Sequence, residues 1–274
     1  MTTDRLRRKA SQPPPGVPAL GRRCLAIGLT FGLLLTIACT DSPPQRHDVA
    51  SGRPVPRLSI DLAPSLEMER SSYESDVLEA IAEVANFFSS SGFGLPEQRV
   101  IDSVLVFDTP LAAREYLSKE LGASLDAIPE TFAGTVAENR LFLVSRDSYR
   151  QIWQQLYPEW PWSERTYRSL IVHEIAHRMH EVIVREHFGS SDAMGPVWFF
   201  EGLAVLCAKQ FEAQQTPLSR EELRQLVGSG HSPTVSYPLY GRIARSLVAE
   251  FGVRRLVLEA VQPNFPEVLW SAQR

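Results

Sequence analysis

The stretch Ser169-Leu170-Ile171-Val172-His173-Glu174-Ile175-Ala176-His177 constrains this chain more than any other, because its flanks read as helix and it holds H-E-x-x-H. Residues four apart stack on one face of a helix. His173 and His177 therefore present two imidazoles to one point, about 5–6 Å apart. That bite suits one small metal ion, and two imidazoles with a carboxylate suit Zn²⁺. Glu174, beside the first imidazole, is expected to act as a general base toward water activated by the ion, without ligating it. Two imidazoles leave an ion under-coordinated, so a second element must bring a third ligand.

Glu201 is the candidate. It stands inside Trp198-Phe199-Phe200-Glu201-Gly202-Leu203-Ala204, a charged residue in an apolar run. A buried carboxylate is costly unless it is paired or bound to a cation. Gly202 and Ala204 are small and let this helix approach another closely. The 24 positions between His177 and Glu201 allow the first helix to end, turn through 189–196 and return antiparallel. His173, His177 and Glu201 would then complete a His₂Glu set with one position open. His180 is read as a surface or supporting residue, His187 and His231 as ordinary surface histidines, and His47 as part of a tether.

The remaining periodicities predict an α+β fold. Residues 73–90 read as an amphipathic helix with Val77, Leu78, Ile81, Val84 and Phe88 as its apolar stripe. Strand-like density follows at 100–107, 131–137 and 140–145, with Glu138-Asn139 as a two-residue turn between the last two. Helices are expected from Pro110 behind a Thr109 cap to about 121, and over 148–157. Others are expected from a Ser163 cap to about 187, over 197–211, after the Ser219–Glu222 capping box, over 240–251 and over 253–261. The front half is mixed and the back half all helical, which places a small sheet on one side of the histidine helix. Trp153, Tyr157, Trp160 and Trp162 form an aromatic cluster that is expected to pack against that helix.

Residues 1–38 read as a targeting segment. A basic stretch precedes an uncharged apolar run over 25–38, which has the length of a signal-peptide core and is short for a membrane span. It ends Thr36-Ile37-Ala38-Cys39, similar to a bacterial lipobox although Thr36 stands where Leu is usual. Cys39 is thus the expected lipidation site, residues 39–57 a Pro-rich tether, and 58–274 the folded domain. The expected location is the bacterial cell envelope, outside the cytoplasm and anchored to the membrane by lipid. The whole chain carries −4, and the first 38 residues hold six basic groups and one acid, so the remainder carries −9. So acidic a domain is a poor nucleic-acid binder. Cys207 is the one cysteine beyond Cys39 and sits among apolar neighbours, as a buried inert thiol would.

H-E-x-x-H followed by W-x-x-E-G-x-A resembles the gluzincin metallopeptidases, in particular the peptidase-MA-like group, over about residues 100–252. The resemblance implies a zincin-like fold and one Zn²⁺ per chain on His173, His177 and Glu201. It implies hydrolysis of peptide or protein substrates with Glu174 as base. A late tyrosine, Tyr240 first and Tyr237 second, would donate to the oxyanion. The strand 140–145 would be the edge that pairs with an extended substrate. Some gluzincins carry an Asp four residues after the Glu ligand to orient a histidine; here that position is Val205. A catalytically inactive lipoprotein of the same fold, serving as a binding or envelope-assembly factor, is the alternative. A helix pair in which Glu201 meets an arginine is a third.

Overall fold

The longest helix of the computed structural model, α4 (Glu164–Phe188), is buried on every side from Ser169 to His180. The model describes residues 58–94, 100–122, 124–191, 194–212, 216–228, 233 and 236–271, so Cys39, His47 and His231 lie outside the described residues. A helix buried all round needs partners on all sides. Ser163 and Thr166 cap α4, the Ser163 N–H donating to Thr166 Oγ1 at 3.0 Å, and Gly189 closes it in the left-handed region at φ 76°.

One partner is α1 (Arg70–Ser90), which buries Tyr73, Val77, Ala80, Val84 and Phe88 at helical spacing. Leu78, expected in that stripe, is instead half exposed, because Ala80 occupies the inward position. Asp76 of α1 accepts from Arg146 at 2.5 Å and from Arg168 of α4 at 3.0 Å, which ties the helices at their start. Tyr167 donates to the Val144 carbonyl at 2.8 Å from a fully buried position and ties α4 to the sheet.

The sheet has four strands: β1 (Ser59–Leu62), β2 (Ser103–Phe107), β3 (Gly134–Ala137) and β4 (Arg140–Val144), in the order β1-β2-β4-β3. β1, β2 and β4 run parallel, and β3 is antiparallel to β4. This overturns one expectation. The strand from Arg140 is interior, paired through Ser103–Phe107 on one side and Gly134–Ala137 on the other. The free edge near α4 is β3. The hairpin turn has no Gly, and Glu138 supplies the left-handed residue at φ 54°. Its neighbour Asn139 accepts from Arg178, the residue after His177, at 2.6 Å and donates to Asp102 at 2.8 Å. The turn is therefore fastened to the helix beside the histidines.

Thr109 caps α2 (Pro110–Leu121), and Ser145 caps α3 (Arg146–Leu156). The back half is all helix: α5 (Val197–Cys207), α6 (Arg220–Val227), α7 (Tyr237–Phe251), α8 (Val253–Glu259) and α9 (Glu267–Ser271). The class is thus α+β with a small mixed sheet, as the sequence predicts. β1 and α9 were not anticipated; both are too short to show a period. No helix of the described residues is long and apolar enough to cross a membrane.

α5 and α7 cross at two glycines. A Cβ on Gly202 would lie 2.5 Å from the Tyr240 carbonyl oxygen, and one on Gly241 would lie 2.4 Å from Val205 Cγ1. At Gly202 the obstacle is backbone, which cannot rotate away. Gly202→Ala is expected to destabilise the fold by about 1–3 kcal/mol, although it gains up to about 1 kcal/mol of helix propensity. Urea denaturation checks this; an unchanged midpoint would mean the crossing is loose.

Candidate metal centre

α4 places His173 and His177 one turn apart, and α5 returns beside it with Glu201. The three side chains converge. His173 Nε2 lies 3.0 Å from His177 Nε2 and 3.2 Å from Glu201 Oε2, and His177 Nε2 lies 3.3 Å from that oxygen. His173 is 5%, His177 9% and Glu201 3% exposed, so water does little to separate these groups. Donors about 2.0–2.1 Å from a tetrahedral ion stand roughly 3.3–3.4 Å apart. The observed triangle is close to one face of that tetrahedron. Two nitrogens and a carboxylate oxygen facing one another in a dry space repel unless a proton or a cation lies between them. The donor set therefore fits a metal ion, and among the described residues it is the one His/Cys/Asp/Glu cluster with that convergence.

The electrostatics agree. Burial opposes ionisation of Glu201, but the His177 charge and the hydrogen bonds from both imidazoles outweigh it and hold the carboxyl at about 2. Burial disfavours the His173 imidazolium, yet the bond to Glu201 and the nearby Glu174 charge raise its pKa. Glu201 is thus an anion poised for a cation. Glu174 differs: burial pushes its pKa up, His173 and His177 only partly offset this, and the Glu201 charge adds to the rise. It stands outside the donor triangle, as the sequence predicts, and its Cγ sits against Gly134 of β3, where a Cβ would lie 3.3 Å away.

A cavity opens beside this group, with about 320 Å³ of empty volume including open solvent. His173, Glu174, Gln210 and Tyr237 face it, with Tyr149, Trp153, Tyr157 and Phe211 as an aromatic wall. Trp153 stacks on Phe211 at 5.1 Å and Tyr157 lies 4.9 Å from the same ring. The aromatic cluster is therefore core on one side and cavity wall on the other. Tyr240, the first choice for an oxyanion donor, does not line the cavity, whereas Tyr237 does. α7 begins at Tyr237 behind its Ser236 cap, three residues earlier than expected, which sets Tyr237 against the cavity. Tyr240, a turn deeper, is buried at the α5 crossing. The Tyr237 ring is 5.6 Å from the His173 ring. Burial, the Glu201 and Glu174 charges and a hydrogen bond to Glu201 keep its phenol protonated far above the ordinary range.

Three further residues were missed or misplaced. Gln210 contacts His173 Nδ1 at 3.1 Å, and nothing in the sequence marks it. Phe200, next to Glu201, stacks on His177 at 3.9 Å between ring centres. His180 is not at the surface: it is 1% exposed, packed against Phe199 and Phe200, and neither ring nitrogen has a partner among the described residues. Burial and the neighbouring His177 charge drive its pKa down to about 3, so it is neutral. Cys207 is buried, and burial pushes its thiol well up, consistent with an inert side chain. No family model matches this chain and no curated protein is significantly similar to it, so the site is read from its geometry alone.

Elemental analysis of the purified domain is expected to find about one divalent ion per chain, as a single three-donor site would bind. Glu201→Ala is expected to abolish uptake while the chain stays folded. Undiminished binding in that variant would place the ion elsewhere.

Proposed function

We propose that this chain is a zinc-dependent peptidase of the gluzincin kind, with a zincin-like fold in which His173, His177 and Glu201 hold the ion. The observation that carries the reading is Glu174. It is a buried carboxylate on the same helix as two ligands, outside the donor triangle; it lines the cavity with His173, and its Cγ sits against Gly134 of the edge strand β3. A purely structural ion needs no such neighbour. Zinc bound there would supply a Lewis acid for a carbonyl oxygen and lower the pKa of water toward 7.

The rest falls to the chain. Glu174, once ionised, takes a proton from the attacking water at a carboxylate oxygen and delivers it to the leaving amine nitrogen. The phenol of Tyr237, held protonated by burial, is a donor for the oxyanion of the tetrahedral intermediate. β3 offers unpaired backbone groups along one side, which fit an extended peptide by strand addition. The aromatic wall gives one side of the cavity an apolar lining, which strengthens each of these interactions. The sequence of residues 1–57 adds the place, a domain anchored by lipid at Cys39 outside the cytoplasm. The missing carboxylate at Val205 favours the non-hydrolytic alternative; Gln210, which stands against His173 at 3.1 Å, supports the hydrolytic reading instead.

Cleavage of a peptide library, followed by mass spectrometry, tests the reading. Glu174→Gln is expected to keep its zinc and lose about 10²–10⁴ in kcat/KM. Retained cleavage would take Glu174 out of its role, and a zinc-loaded wild type that cuts nothing would sink the peptidase reading. Tyr237→Phe is expected to lose about 10²–10³ in kcat with zinc retained, whereas Tyr240→Phe stays near wild type. The base must be ionised, so activity is expected to fall as pH drops through the Glu174 pKa, which burial raises in the metal-free site and a bound dication would lower again; a rate independent of pH on the acid side would contradict this.

A further inference from the structure

We propose that Gln210 is a positioning residue that holds His173 in the single tautomer able to turn a lone pair toward a metal ion. The proposal rests on the reading of His173, His177 and Glu201 as ligands. It starts from the Ser169 carbonyl, which can only accept. Gln210 Nε2 donates to it at 3.3 Å. That contact decides which end of the amide points where, so Oε1 faces His173 Nδ1 at 3.1 Å. An amide oxygen also only accepts, and the ring must therefore carry its proton on Nδ1. Once an ion displaces the proton that Nε2 shares with Glu201, the imidazole protonated at Nδ1 has its lone pair on Nε2. Nε2 is the atom that faces His177 Nε2 and Glu201 Oε2. Flipping the amide would set two carbonyl oxygens against each other in a place where Gln210 is 7% exposed.

The backbone around Gln210 is bent to make this contact. α5 ends at Cys207, four residues before the expected end at 211. Lys209 N–H then donates to Leu206 O and Gln210 N–H to Val205 O, both at 3.1 Å. Lys209 and Phe211 have φ of 52° and 53°, so left-handed non-glycine residues stand on both sides of Gln210. Such residues persist where their surroundings over-determine them, and they gather at functional sites. Phe211, stacked on Trp153, pins the far end of this hook. A surface turn needing these angles would use Gly or Asn.

The two histidines are thus held by different means. His177 has no partner at Nδ1 among the described residues, and its plane is set by stacking on Phe200. His173 is set by a directional hydrogen bond. Partners of this kind orient the ring and raise its basicity toward the ion, and their loss typically costs 10–100-fold in metal affinity.

The test compares wild type, Gln210→Leu and Gln210→Glu. Zinc affinity is read by competition with a chelator, folding by circular dichroism, and the His173 Nδ1–H by ¹⁵N–¹H correlation in the zinc-loaded protein. Gln210→Leu is expected to weaken zinc binding about 10–100-fold and to lose the Nδ1–H signal. Gln210→Glu, which keeps an acceptor at Nδ1, is expected to recover most of the affinity. A folded Leu variant within about threefold of wild type, well short of the expected loss, overturns the proposal. So does an equal loss in both variants, which would mark a packing role. A zinc-loaded wild type with His173 protonated at Nε2 overturns it without any variant. If wild type takes up no zinc, the metal centre itself falls. If wild type binds zinc and is indifferent to Gln210→Leu, this proposal alone falls.

Discussion

A carboxylate buried between two imidazoles is the constraint on which the back half of this molecule is built. Taking the Glu201 charge out of water costs several kcal/mol, and the compensation must come from groups held within hydrogen-bond distance. Only a helix lying directly on α4 can supply that distance, so α5 follows α4 after a short turn and runs against it. α5 must itself be covered. α7 does this by pressing its Tyr240 carbonyl onto Gly202 and its Gly241 onto Val205. The E-G pair at 201–202 thus joins one electrostatic need to one steric one. A larger residue at 202 would push away the helix that roofs the site.

The polar chemistry is kept on one side of a dry boundary. His180 and Cys207 lie close to the ligands in sequence, yet burial leaves the one neutral and the other protonated. Neither adds a charge beside the donors, and neither belongs to the converging cluster. Ion pairs that fasten the frame lie further out, as in Asp76 with Arg146 and Arg168, or Arg178 with Glu181. The site therefore has a small set of charges, each facing the others.

What was legible in the sequence followed from local rules. The spacing of His173 and His177 is helical geometry, and Glu201 announced itself as a charge in an apolar run. The caps at Thr109, Ser163 and Ser219 and the stops at Gly189 and Gly252 were readable because each is settled within a few residues. The misses share a different cause. That β4 is interior depends on its parallel pairing with β2, about 37 residues away, which no local pattern encodes. Gln210 was invisible because α5 ends early and the chain hooks back through two left-handed residues of unremarkable type. Tyr237 rather than Tyr240 lines the cavity because the helix starts three residues earlier than expected, and Leu78 faces outward because Ala80 fills the core instead.

The donors and the amide that orients one of them all lie between Ser169 and Gln210, within two consecutive helices and the turn that ends the second. Contacts this close along the chain close small loops, which form fast and at low entropic cost. The groups that would face a reacting molecule in the proposed enzyme come from afar: Tyr237 follows a further helix, and β3 precedes the whole segment. Under that proposal, holding an ion is a local property of one stretch of chain, whereas presenting a substrate to it requires the complete fold. Substitutions that loosen the distant contacts would erode the second property well before the first.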